Sequence, residues 1–145
     1  MLPCRRKFCA VSESRNEPPL DTHTLIWWLE GSKQLGRHAR RVIQDQRNEI
    51  WISAASIWEI CIKASLKRLD VSERFETELP DEMERSGFRS LLVAFEHAFA
   101  VRHLPHHHGD PFDRMLVAQA QCENLTLVTA ERIAAYGVPT LDASR

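Results

Sequence analysis

Ile50-Trp51-Ile52-Ser53-Ala54-Ala55-Ser56-Ile57-Trp58-Glu59-Ile60 changes structural character at a single residue. Ile50-Trp51-Ile52 is a compact β-rich run, short enough for a buried strand. Ser53 carries a side-chain oxygen of the kind that caps a helix, and a helical pattern follows from Ala54 to about Leu69. Strand-then-helix is half of a β-α-β unit, and the alternation recurs on both sides. Upstream, Leu20-Asp21 closes a short apolar stub before a helix over 22–29, which Gly31-Ser32 stops. An Arg-rich helix over 35–48 presents Leu35, Ala39, Val42 and Ile43 on one face. Downstream, a charged helix over 72–85 is expected to be interrupted at Pro80. A strand over 88–93 and a helix over 94–103 follow. Beyond a loop holding His106-His107-His108, Asp110-Pro111 opens a helix with an Asp cap and Pro at the first helical position. A strand over 125–129, a short helix, Gly137 and a last strand over 138–141 complete the pattern. The expected class is α/β, with a central parallel sheet covered by helices on both faces.

Length and composition agree with one such domain. The chain has 145 residues, 43% of them hydrophobic, and a formal net charge of −1. That excludes wholesale disorder and binding to nucleic acid through sheer basicity. The most apolar short run, Leu25 to Leu29, is far below a membrane span. No signal peptide is expected, because no apolar stretch follows Arg5-Arg6-Lys7. Residues 1–17 have no periodicity and read as a disordered or mis-assigned leader, which leaves 18–145 as the folded domain. Cys4, Cys9, Cys61 and Cys122 form no C-x-x-C pair, so a reduced cytoplasmic protein with core thiols at Cys61 and Cys122 is expected.

Ligand sites in such sheets lie beyond the carboxyl ends of the strands. Asp21, Glu59, Asp113 and Glu131 all follow strand ends or open helices near them. Clustered carboxylates repel unless a hard divalent cation neutralises them, and oxygen ligands suit Mg²⁺ or Mn²⁺. Each acid also has an ordinary structural use. Asp21 suits a cap on the helix after it, and Asp110 is a standard N-cap with Asp113 placed to complete a capping box. Glu59 has Lys63 one turn away, and Glu131 favours a helix N-terminus. Glu59 is the least explained by structure, because charge among Ile57, Trp58, Ile60 and Ile62 is costly unless used.

Three motifs in order resemble PIN-domain proteins, and among them the VapC-type toxins of bacterial toxin–antitoxin pairs. They are Leu20-Asp21-Thr22-His23-Thr24-Leu25-Ile26-Trp27-Trp28, Ile52-Ser53-Ala54-Ala55-Ser56-Ile57-Trp58-Glu59-Ile60, and His108-Gly109-Asp110-Pro111-Phe112-Asp113-Arg114-Met115-Leu116-Val117-Ala118-Gln119-Ala120. The resemblance runs from Leu20 to about Leu141. It implies a PIN-like three-layer α/β/α sandwich and a metal-dependent endoribonuclease using Mg²⁺, with Mn²⁺ as the alternative ion. It further implies an RNA substrate, a homodimer and a cognate antitoxin. Its four acids fall on Asp21, Glu59, Asp113 and Glu131, the last a Glu where the family usually has Asp. A second departure lies upstream, where Asn16-Glu17-Pro18-Pro19 occupies what is normally an apolar first strand. Proline cannot donate to a ladder, so this central strand is expected to be weak.

Around the acids, Arg114 and Lys63 are candidate phosphate donors, and Thr22 and Thr129 are candidate hydrogen-bond partners of a carboxylate or phosphate. Arg37, Arg40, Arg41 and Arg47 offer a basic helix face, and Trp27-Trp28 either stack on bases or pack core and partner surfaces. Two alternatives stand beside the ribonuclease: a catalytically weakened or dead PIN fold serving as a binding or dimerisation module, and a zinc protein built on the His run. Consecutive histidines cannot all face one ion, which disfavours the second.

Overall fold

The computed structural model describes residues 19–107, 109–130 and 136–145. The leader, Pro18, His108, Glu131 and the short helix expected after Thr129 lie outside them. The described elements run β1 (Pro19–Leu20), α1 (Thr22–Leu29), α2 (Arg37–Gln44), β2 (Trp51–Ser53), α3 (Ala54–Ser65), α4 (Phe75–Ser86), β3 (Arg89–Leu91), α5 (Phe95–His103), α6 (Pro111–Glu123), β4 (Leu127–Thr129) and β5 (Thr140–Asp142). The strands form one sheet in the order β3-β2-β1-β4-β5, every pair parallel. The chain lays strands outward from β1 to β3, then returns to the other side of β1 with β4. The strand order therefore reverses between β1 and β4, and the ligand crevice of an open α/β sheet belongs there.

Side-chain alternation along the strands separates two cores. Leu20, Ile52 and Val128 pack with Leu25, Ile43, Ile60, Phe75 and Leu79 on one face. Leu127 and Leu91 pack with Leu104, Leu116, Val117 and Val138 on the other. Leu127 and Val128 are neighbours in β4 yet serve opposite cores. Each such side chain, fully buried, contributes roughly 1.5–3 kcal/mol. Both faces are covered, which gives the expected three-layer α/β/α sandwich.

The first strand is central, as expected, and tolerates its proline. Pro19 opens β1, the position in a strand where a missing N–H matters least. Leu20 pairs with Ile52 on one side and Val128 on the other. The Asp21 N–H then donates to the Val128 carbonyl at 3.0 Å, extending the contact. One lost donor does not prevent this strand from pairing on both edges.

Several boundaries shift from the sequence reading. The α2 helix covers 37–44 rather than 35–48. It begins at Gly36, where the Arg145 carbonyl accepts the N–H groups of His38 and Ala39, each at 3.0 Å. A Cβ on Gly36 would lie 2.2 Å from the Arg145 backbone, so the close approach requires glycine. At the other end the Asn48 side chain donates to the Val42 carbonyl at 2.9 Å and closes the helix early. The α4 helix runs through Pro80 and stops at Gly87, whose φ is 71°. The last strand starts at Thr140, two residues later than expected. Cys61 is exposed and Cys122 half-buried, so neither is a fully buried core thiol.

Candidate active site

Asp21 is the residue immediately after β1, and its local geometry follows from the helix it begins. Its backbone is extended (φ −70°, ψ 170°), and its Oδ1 accepts the Thr24 N–H at 2.7 Å, capping α1. Its Oδ2 accepts the Thr129 hydroxyl at 2.5 Å. Thr129 is the last residue of β4, so this bond joins the two strand ends at which the sheet order reverses. Asp21 is 1% exposed, and no basic side chain forms an ion pair with it among the described residues. Burial pushes its carboxyl above the ordinary 3.8, against the hydrogen bonds from Thr129 and Thr24 that pull it down.

Glu59 reaches the same end of the sheet from α3. Ser53 ends β2 and caps α3, its Oγ accepting the Ala55 N–H at 3.1 Å. Glu59 lies on the buried side of that helix and is 3% exposed. Thr22, next to Asp21, donates its hydroxyl to Glu59 Oε2 at 2.5 Å. Lys63, one turn along α3, donates its ammonium to Glu59 Oε1 at 2.6 Å. Thr22 and Thr129 therefore each hold one buried carboxylate, as candidate carboxylate partners should. Ser56 lies one turn before Glu59, and its buried Oγ has no partner among the described residues.

Asp113 occupies the first turn of α6 and is half-buried. Asp110 caps this helix, accepting the N–H groups of Phe112 at 2.8 Å and Asp113 at 3.2 Å. Phe112 meets Trp58 edge-on at 5.3 Å, which ties the start of α6 to the helix that carries Glu59. Asp21 and Glu59 are thus linked through Thr22, and Asp113 stands at a helix start packed against α3. Among the described residues no group of three acids, histidines or cysteines closes into a metal site. Glu131 lies outside the described residues.

The donor set nonetheless suits a hard divalent cation. Two buried carboxylates belong to one network, Glu59 being bonded by the residue next to Asp21. Asp21 has only neutral hydrogen-bond donors, and the buried hydroxyl of Ser56 has no partner among the described residues. Carboxylate and hydroxyl oxygens are the ligands such cations take.

Arg114 departs from its sequence expectation as a phosphate donor. Its guanidinium points inward and is 8% exposed. It donates to the carbonyls of Pro105 (2.8 Å), Val101 (3.3 Å) and Leu104 (3.3 Å) and to the Tyr136 hydroxyl (3.2 Å). Arg114 fastens the end of α5 to the start of α6. The tryptophans belong to the packing side of their alternatives. Both pack against the first core, and Trp28 donates to Glu82 at 3.0 Å. His107 meets Tyr136 edge-on at 5.1 Å, and its neighbour His108 lies outside the described residues. A cavity of about 570 Å³ runs among α1, α2 and α4, and its lining includes none of Asp21, Glu59 and Asp113.

Three supporting residues escaped the sequence reading. Ser53 donates to Gln119 Oε1 at 2.6 Å, and Gln119 donates to the Leu92 carbonyl at 3.3 Å, tying β2 and the segment after β3 to α6. The signal available was a lone amide inside the apolar run from Met115 to Ala120. His97 accepts the Ala94 N–H on Nδ1 at 3.0 Å and faces Glu123 through Nε2 at 2.7 Å. An accepting Nδ1 places the proton on Nε2. His97 and Glu123 are 26 positions apart, and no local pattern announces them. Ser56 is the third, an unremarked serine in the quoted motif.

The PIN-domain family model matches residues 20–136. Ribonuclease VapC16 of Mycobacterium tuberculosis is 43% identical over 58 residues, which is 40% of this chain. The match spans only 41% of that relative's length. Among solved structures, VapBC2 from Rickettsia felis bound to a DNA fragment from their promoter aligns with a TM-score of 0.63 at 15% identity, over 86% of this chain and 96% of that one. DNA-bound VapBC from Salmonella typhimurium aligns with a TM-score of 0.62 at 19% identity, over 87% and 97% of the two chains. At these identities the structural likeness concerns the fold.

Proposed function

The chain belongs to the PIN-domain family, and on that premise we propose that it is a metal-dependent endoribonuclease acting as the toxin of a toxin–antitoxin pair. One observation carries the reading. Asp21 is a carboxylate buried at the reversal point of the sheet, with neutral donors on both oxygens and no paired cation among the described residues. Burying a carboxylate that has no ion pair is costly for stability, and a bound cation offsets that cost.

Asp21, Glu59, Asp113 and Glu131 are the residues that would hold the ion, Mg²⁺ or Mn²⁺. When bound, such an ion supplies an activated water and charge relief at the scissile phosphate. The chain's own contribution is positioning. Thr129 and the Thr24 amide fix the Asp21 carboxylate, and Thr22 fixes Glu59. Asp110 and the Trp58–Phe112 contact set the start of α6, and with it Asp113.

The names of the aligned relatives support an antitoxin partner. A homodimer and a cytoplasmic location complete the proposal. Leu92, Val93, Phe95 and Phe99 form an exposed apolar surface of the sort that marks association. No helix among the described residues is long and apolar enough to cross a membrane. The alternative of an inactive binding module drew on the prolines before Leu20, and it weakens because β1 pairs on both sides despite Pro19. The test is purified protein with single-stranded and structured RNA, with Mg²⁺, with Mn²⁺, and with chelator. Cleavage is expected only with metal. Intact RNA under every metal condition overturns the reading.

A further inference from the structure

We propose that Lys63 is the resident counter-ion of the acidic site: its ammonium neutralises Glu59 until a divalent cation displaces it, and it thereby sets how tightly the site takes that cation. The inference rests on the metal-dependent reading above.

Glu59 and Lys63 form an i,i+4 pair at 2.6 Å, the spacing of an ordinary helix-surface ion pair. The burial is not ordinary. The Glu59 side chain is 4% exposed, whereas that of Lys63 is 37% exposed. A pair that is exposed at both ends contributes little and commits neither partner. Here the carboxylate is locked in place, by Thr22 on its other oxygen as well as by burial. The ammonium sits on a flexible stem with a way out to water. The two ends therefore differ in what displacement costs. The carboxylate cannot leave without exposing the interior, and the ammonium can leave by rotating outward.

The neighbouring acid makes the contrast sharper. Asp21 carries neutral donors on both oxygens and has no ion pair among the described residues. Of these two buried carboxylates, Glu59 is the one that carries an ion pair, with Lys63 at 2.6 Å. A divalent cation arriving at the two carboxylates meets a positive charge already resting on one of them. It must share or evict that charge, and the eviction lowers its apparent affinity. The freed ammonium then stands one helical turn from Glu59, at the solvent edge.

The test is direct cation binding by calorimetry, without RNA, on the full chain and on Lys63→Gln, Lys63→Arg and Lys67→Gln. Lys63→Gln is expected to bind Mg²⁺ about tenfold more tightly, which is about 1.4 kcal/mol. Metal-free Lys63→Gln should melt lower than the parent, with added Mg²⁺ raising its melting temperature by more than it raises the parent's. Lys63→Arg should restore parent affinity. Lys67→Gln should leave affinity near the parent value, which separates a contact effect from a change in net charge. Unchanged or weaker Mg²⁺ binding in Lys63→Gln overturns the counter-ion role. If the parent binds no cation, the metal-dependent reading itself fails. Should Lys63→Gln not fold, the parent decides. With ¹⁵N-labelled lysine, the Lys63 ammonium signal is expected to move or vanish as Mg²⁺ is added, and an unmoved signal at saturating Mg²⁺ overturns the proposal.

Discussion

Asp21 and Arg114 are both charged, both buried and both held by several hydrogen bonds, yet they do opposite work. Arg114 directs its guanidinium at three carbonyls and a phenolic oxygen, all of which carry partial negative charge toward it. Its charge is met by oriented dipoles, and Tyr136 and the α5 end are held in return. Asp21 also has its oxygens filled, by an amide and a hydroxyl. Its carboxyl still sits above the ordinary range, because burial outweighs those bonds. A hydrogen bond on each oxygen is therefore not the same as a compensated charge. The charge of Arg114 is met by the fold, and that of Asp21 is the one the proposed cation would meet.

The largest effect expected from this contrast is on chemistry. Asp21→Asn keeps the shape and an acceptor for the Thr24 amide but removes the charge. RNA cleavage with Mg²⁺ should fall on the order of 1,000-fold, about 4 kcal/mol of barrier. The metal-free melting temperature should hold level or rise. Cleavage at the parent rate would remove Asp21 from the site.

Arg114→Ala should act the other way, on stability first. It strands buried carbonyls and opens a void beside Tyr136, for a loss of about 3 kcal/mol in denaturant unfolding. A loss below about 1 kcal/mol would mean that water replaces the guanidinium without penalty.

The pH dependence separates the two charges again. The folded Asp21 carboxyl holds its proton more tightly than the unfolded chain, whose value is 3.8. Between 3.8 and the higher folded value the native state binds more protons, so metal-free stability falls as pH rises through that window. The difference in melting temperature, Asp21→Asn minus parent, should accordingly grow from acid toward neutral pH, by a few degrees for each kcal/mol. A flat difference would mean that Asp21 titrates normally. No such trend is expected for Arg114 variants, since a guanidinium stays charged throughout.

The smallest expected effect lies away from both residues. Gly36→Ala places a Cβ 2.2 Å from the Arg145 backbone, so the carbonyl that caps α2 must withdraw. Loss of a cap costs about 1 kcal/mol. Unfolding of Gly36→Ala measured against the parent checks this, with cleavage unchanged per folded molecule.

Local chemistry was legible in the sequence and distant pairing was not. Asp110-Pro111 and Ser53 announced helix starts because a cap speaks only to residues two or three positions on. Glu59 stood out because a charge among large apolar neighbours is costly. Arg114 was misread for the opposite reason: a basic residue beside an acid looks like a phosphate donor until the carbonyls of Val101 and Leu104 turn out to surround it. The late start of α2 depends on Arg145 and its early end on Asn48, neither of which shows helical periodicity to read. Pro19 argues from sequence for a weak central strand; β1 is only two residues long, and it still pairs on both sides because the proline falls at its first residue. The metal-ligand role of Asp113 and Glu131 rests on the family resemblance, since Asp113 joins no three-acid group and Glu131 lies outside the described residues.

The two-residue strand β1 also imposes an order on events. Leu20 and Asp21 are stitched to Val128 and Thr129, residues more than a hundred positions later. Contacts that span so much of the sequence form slowly, because the loop they close must be ordered before it is rewarded. Helices α1 to α4 can gather on one face of β2 long before the strand that completes the crevice exists. The carboxylate that opens α1 therefore waits, without its Thr129 partner, for nearly the whole chain to be synthesised. A nascent polypeptide of this protein carries Asp21 and Glu59 early and the Asp21–Thr129 bond late, so the geometry of the proposed site is among the last things the chain acquires.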